Sequence, residues 1–226
     1  MIQEINLGGE LRPISFSLNA LALFGKLTKR PLKDVLALSP ETTQLEDFIV
    51  LMWCGFKDGA RIHKKEFAYT VEDIGDWISD SPEAFADLLV MFNEAQPPEE
   101  TNKKKRNRKP TSQPLTLDYL MEMGCGQMGM TIDEFWNATP REFFNKMQGV
   151  YEHQKFLQQE AWKRMRHFAW LLLQPYIERG KELTPEQLMP FEWERPDPGE
   201  VKRLSREEIE DLKQKYSKGA PTNRKI

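Results

Sequence analysis

The chain has 226 residues with a formal net charge of −3, 30% charged and 39% hydrophobic residues. No apolar run approaches the about 18 residues a membrane span needs. The opening MIQEINLGGEL has no basic stretch followed by an apolar one, so a secretory signal is not expected. Cys54 and Cys125 lie far apart in the sequence, which speaks against a disulfide framework and for a reduced, cytoplasmic setting.

The charge is unevenly spread. Residues 1–94 carry nine Lys/Arg against fifteen Asp/Glu, and residues 115–226 carry seventeen against eighteen. Between them, AQPPEETNKKKRNRKPTSQP carries six against two. That stretch has no aromatic or aliphatic residue larger than alanine with which to offset its conformational entropy by burial, so residues 95–114 are expected to be a disordered basic linker. Neither flank has the basic surplus of a nucleic-acid-binding domain. Expected, then, are two small helical modules, the first with an N-terminal β-hairpin, joined by that linker. The boundaries fall at 1–94 and 115–194, with a charged tail and a terminal helix over 195–226.

In chain order, Ile5 and Leu7 stand before Gly8-Gly9, and Leu11, Ile14 and Phe16 after it. Apolar runs around a Gly-Gly pair predict a hairpin, with Pro13 confining the second strand to an edge. Leu18 to Leu27 reads as a helix. Ser39-Pro40 pairs an N-cap with a first-turn proline and predicts a second helix, carrying Leu45, Phe48, Ile49, Met52, Trp53 and Phe56 and stopping at Gly59. Thr70 with Asp73 forms a capping pair, and Ser81-Pro82 opens a further helix.

Past the linker, Leu115 to Met123 reads as a short helix running into Gly124, Gly126 and Gly129. Thr131 with Glu134 is a capping box. Thr139-Pro140-Arg141-Glu142 combines N-cap, first-turn proline and box glutamate, a firm helix start. From there to about Arg179 the pattern fits one long helix or two in sequence. It is apolar at both ends and polar over Glu152 to Glu160, which suggests two packing partners. Thr184-Pro185 caps a short turn, and Ser205 with Glu208 starts a charged terminal helix.

Chemistry is sparse. His63, His153 and His167 lack zinc-site spacing with each other or with cysteine. Cys125, between two glycines, has no identifiable activating partner, and no phosphate-cradling glycine loop is present. The carboxylates cluster at helix starts, where the helix dipole accounts for them. The chain therefore reads as non-enzymatic, without metal or cofactor. Lys103, Lys104, Lys105, Arg106, Arg108 and Lys109 could contact phosphate, but no aromatic is interleaved for base stacking. The aromatic load of the second half is either core or an exposed surface for a partner helix or a second copy of the chain. The candidate partner-binding residues are Phe143, Phe144, Trp162, Met165, Phe168 and Trp170, with Trp53 and Phe56 in the first module.

Phe135-Trp136, Thr139-Pro140-Arg141-Glu142-Phe143, Gly149-Val150-Tyr151, and Trp162 followed by Ala169-Trp170 carry a likeness. This part of the chain resembles the downstream part of tail assembly chaperones from long-tailed bacteriophages. LNALALFGKLTKRPL and the Trp53-Cys54-Gly55-Phe56 run resemble the upstream part. In that family a fusion arises by programmed frameshifting, and Asn102-Lys103-Lys104-Lys105 stands where its slip site would fall. The resemblance implies a host-cytoplasmic assembly factor, absent from the mature virion. It would bind the tape-measure protein through the first module and recruit tail-tube subunits through the 140–177 helix, with Trp162, Met165, Phe168 and Trp170 as anchors and with self-association open. The alternative is a helical adaptor docking on nucleic acid through the basic linker.

Overall fold

A computed structural model describes residues 3–39, 43–97, 115–177 and 182–195. The described chain is mainly helical, with an antiparallel two-stranded hairpin at its start. The hairpin pairs β1 (Gln3–Leu7) with β2 (Glu10–Ile14), and Leu7 opposite Glu10 closes the ladder at the turn. Gly8 and Gly9 both have positive φ, +62° and +79°, the two-residue turn whose twist matches the flanking strands. Gly8 is doubly constrained, because a Cβ there would lie 2.8 Å from the Trp77 ring. With two strands only among the described residues, both are edges, and Pro13 is tolerated in β2.

Helix α1 (Leu18–Thr28) starts at Ser17, whose hydroxyl accepts from the Asn19 and Ala20 amides. A short α2 (Leu32–Leu36) follows. α3 (Leu45–Ile62) is N-capped by Gln44 rather than by the predicted Ser39, and residues 40–42 lie outside the described ones. Gly59 does not stop it. The helix runs on to Ile62, and Gly59 instead makes room for the hairpin, since a Cβ there would run into the Pro13 carbonyl. One turn earlier, Gly55 lies closely under Phe16 and Ile14, and its carbonyl accepts from the Ser15 amide at 3.0 Å. The two glycines make a smooth strip on which the hairpin backbone rests. α4 (Val71–Asp80) has the expected Thr70–Asp73 box, and α5 (Pro82–Ala95) has its proline in the first turn. The hairpin and α1 to α5 enclose one core, in which Phe92 meets Phe16 and Phe48 edge-on at 5.3 and 6.1 Å.

The second half begins with α6 (Leu117–Met121), which widens into a π-helical stretch, Glu122–Gln127. There the glycine cluster finds its use: Gly124 lies against Phe135 and Phe143, leaving no room for a side chain. α7 (Ile132–Asn137) opens on the Thr131–Glu134 box. The pattern that allowed one helix or two resolves as a single helix, α8 (Pro140–Leu173), with Thr139 and Glu142 exchanging the predicted cap bonds. A 3-10 turn (Gln174–Tyr176), the four-residue α9 (Pro185–Leu188) and a second 3-10 turn (Glu192–Glu194) complete the described elements.

The predicted division at the basic linker is not where the chain divides. One compact unit takes residues 1–156 and a second takes 157–226, so the boundary falls within α8. Inside the first unit, Leu18 of α1 is fully buried in one cluster with Leu120, Met128, Met130, Phe135, Ala138 and Phe143. Fully burying a side chain such as Phe135 or Phe143 is worth roughly 1.5–3 kcal/mol, so this shared core is a substantial bond between the halves. Polar contacts add to it. The Leu18 amide donates to the Ala138 carbonyl at 2.9 Å, and Arg61 Nη2 donates to Asn137 Oδ1 at 2.6 Å. Arg141 donates to the carbonyls of Gln96 and Asn93. The 115–156 segment is part of the same body as residues 3–97, not a separate module. The predicted linker is described only at its first residues, where Ala95 still belongs to α5; residues 98–114 and the predicted terminal helix at Ser205 lie outside the described ones.

Candidate functional site: the C-terminal half of the long helix

In the second unit, α8 from Leu157 to Leu173 carries apolar residues at too many positions for a single face. Trp162, Arg166 and Trp170, four residues apart, lie along one side. The 182–195 segment straps that side. Trp162 meets Phe191 edge-on at 6.4 Å, and Phe191 stacks on Trp193 at 4.4 Å. The indole of Trp170 donates to the Leu183 carbonyl. Between the two tryptophans, the Arg166 guanidinium lies 4.7 Å over the Phe191 ring and donates to both carboxylate oxygens of Glu194. It also reaches Glu186 and the Met189 carbonyl, both at 3.4 Å. A largely buried arginine is tolerable because carboxylates and a carbonyl meet its donors. The bond to Arg166 holds the Glu194 carboxyl below the usual carboxylate range.

The adjoining side has no such cover among the described residues. Leu157, Met165, Phe168 and Leu172 are 49%, 56%, 59% and 59% exposed, and Ala161 is exposed among them. These fall in steps of four, four, three and four residues, so they form one continuous stripe. A stripe of this size, rimmed by Glu160, Lys163 and Arg164, is what a surface that takes an apolar partner looks like.

The eight candidate partner residues therefore separate. Met165 and Phe168 lie on the open stripe. Trp162 and Trp170 face the strap, with Trp162 still 47% exposed. Phe143 and Phe56 are corrections: at 0% and 1% exposure they are core side chains and offer a partner nothing. Phe144 is half-buried against the second cluster, and Trp53 donates its indole N–H to Tyr69 with its ring against Phe67. Leu157, Ala161 and Leu172 belong to the stripe and are absent from the candidate set. The step-of-four-and-three spacing around Met165 and Phe168 is the signal that reaches them.

Among the described residues no three His, Cys, Asp or Glu side chains gather as a metal would require. Burial pushes the Cys54 thiol up to about 12, which leaves it protonated and unreactive at neutral pH. Cys125 is half-buried in the π-helical stretch. No helix among the described residues is long and apolar enough to cross a membrane.

No protein-family model, curated protein or solved structure matches the chain. The functional reading therefore rests on its own residues.

Proposed function

We propose that the chain is a non-enzymatic tail assembly chaperone of a long-tailed bacteriophage, one that binds the tape-measure protein and recruits tail-tube subunits to it. The observation that carries this reading is the open apolar stripe of α8, Leu157 to Leu172. A factor that holds an aggregation-prone helical client needs such a stripe, set beside charge that keeps the complex in solution. The anchors for tail-tube recruitment are Met165 and Phe168, with the exposed part of Trp162. The tape-measure role falls to the first unit, whose exposed apolar positions include Leu11, Leu27, Leu45, Val90 and Ile132. Such a factor acts in the host cytoplasm and leaves before the particle matures.

Co-expression of the full chain with a tape-measure protein and a tail-tube protein tests it. The expected result is soluble tape measure, with tail-tube protein co-purifying. Met165→Asp with Phe168→Asp should abolish the second association and spare the first. Tail-tube protein retained by that double variant would refute the assignment of the stripe, and tape measure left insoluble by the unaltered chain would refute the function.

A further inference from the structure

The π-helical stretch Glu122–Gln127 builds one wall of a cavity. At its end the Met128 amide donates to the Met123 carbonyl at 3.0 Å, five residues back rather than four. In an α-helix, residues five apart point about 140° away from each other. The widened turn instead lets Met123 and Met128 line the same cavity, and the chain then leaves it through Gly129 at φ +63°. The N-terminal part of α8 supplies the facing wall, with Met147 and, one turn on, Val150 and Tyr151. Met123, Met147 and Val150 also pack against the buried cluster of Phe135 and Phe143, which fixes the back of the cavity. Its mouth is open to solvent, since Tyr151 and the remaining lining residues, Gln127, Gln148 and Gln154, are exposed.

Size, charge and sulfur together select an occupant. The cavity holds about 160 Å³. An apolar cavity of about 150 Å³ takes a benzene ring. Sites for cofactors and drug-sized molecules run to roughly 300–1,000 Å³, so this one fits a single side chain and not a ligand of ordinary size. None of its eight lining residues is charged, in a chain of which 30% is charged. A neutral occupant matches that wall, whereas a charged one would lose its hydration and gain no counter-charge. Three of the eight are methionines, whose sulfur makes favourable contact with the edge of an aromatic ring and whose unbranched chains adjust to its outline. Aromatic side chains seated in such pockets are typical anchors of protein interfaces.

We infer that this cavity takes an aromatic side chain, a phenylalanine or a ring of like size, from a partner polypeptide, and that the thioethers of Met123, Met128 and Met147 recognise it. The site lies wholly within the first unit and stands whatever the client of the open stripe is.

The test uses the full chain with isotope-labelled methionine methyl groups, whose NMR signals are assigned through Met123→Leu, Met128→Leu and Met147→Leu. The probe is N-acetyl-phenylalaninamide, which carries one ring between two peptide bonds; N-acetyl-leucinamide and phenol are the comparisons. The expected result is a saturable shift of the Met123, Met128 and Met147 signals with the phenylalanine probe, several-fold larger than at the exposed Met165. The leucine probe should bind several-fold more weakly. Met147→Leu, which keeps the bulk and removes one sulfur, should weaken binding of the phenylalanine probe several-fold. Val150→Phe, which fills the cavity from within, should abolish the response with helix content unchanged by circular dichroism; a response retained there would place the probe elsewhere and overturn the inference. On the unaltered chain, equal binding of the leucine probe would overturn the aromatic assignment. Binding of phenol without the amide would make the occupant a free small molecule, and shifts no larger than at Met165 would mean no site; either result also overturns the inference.

Discussion

Arg166 of α8 and Glu194 of the strap meet through two hydrogen bonds, one of them 2.9 Å long, with the guanidinium turned over the Phe191 ring. A two-point arginine–carboxylate contact fixes direction as well as distance. This buried charge on α8 thus decides which side of the helix the 182–195 segment covers and which side stays open. Arg166→Met keeps the bulk and removes the donors. It should free the strap, seen as faster protease cleavage between Leu183 and Arg195 with helix content unchanged by circular dichroism.

Acid should loosen the same contact. The bond to Arg166 keeps the Glu194 carboxyl below the usual range, so the folded state binds its proton less readily than the unfolded chain does. The stabilisation is complete above the ordinary carboxylate range and disappears as pH falls through the lowered value. Cap bonds from Thr70 to Asp73 and from Thr131 to Glu134 give those carboxyls the same sign. An acid titration followed by tryptophan fluorescence should show a transition below about pH 4, under the usual carboxylate range. The part owed to Trp162 and Trp193 should be absent in Glu194→Gln.

Two helical glycines should respond in opposite senses to alanine. At Gly59 a Cβ would meet the Pro13 carbonyl, which belongs to backbone and cannot swing aside. Gly59→Ala is expected to destabilise by about 1–3 kcal/mol, as overpacked cores do. At Gly149, inside α8, nothing lies within 4 Å. Gly149→Ala is expected to stabilise by roughly 0.5–1 kcal/mol, the helix-propensity gain. Urea denaturation of both variants measures the contrast.

The two phenylalanines of α8 provide a matched pair. Phe143→Ala empties a fully buried site beside Phe135, Leu120 and Leu18 and should cost about 3–5 kcal/mol. Phe168→Ala, on the open stripe, should change stability by less than about 0.5 kcal/mol, in line with exposed sites generally. It should instead weaken association with a client. Thermal unfolding and co-purification on the same two variants separate core from surface.

The thiols should report on folding. Cys54 is buried and its pKa is pushed up to about 12, whereas Cys125 is half-buried. At pH 8 a thiol reagent should modify Cys125 in the folded chain and reach Cys54 only on unfolding, which peptide mapping after timed quenching would show.

Local features were well marked in the sequence. The Gly8-Gly9 turn and the cap boxes at Thr70, Thr131 and Thr139 occur where the residues placed them, because turn and cap chemistry is completed within four neighbouring residues. The misreadings share one cause. Gly59 looked like a helix stop, but its use depends on Pro13, more than forty residues away. Phe143 and Phe168 stand on one helix with the same helical spacing logic, and one is core while the other is exposed.

What the sequence determined by itself is therefore the inventory: a mainly helical chain, its hairpin, its helix starts, and a long helix apolar at both ends. Tertiary structure alone decided how those pieces are grouped. Leu18, read as an ordinary position on α1, fills the core of the 115–156 segment and joins into one unit what the basic stretch had seemed to separate. Likewise only the folded chain shows that the strap takes the Trp162–Trp170 side of α8 and leaves Met165 and Phe168 open. Caps and turns are satisfied by neighbours in sequence; burial is a property of whatever surface a distant segment brings, and no local pattern states which face that segment will choose.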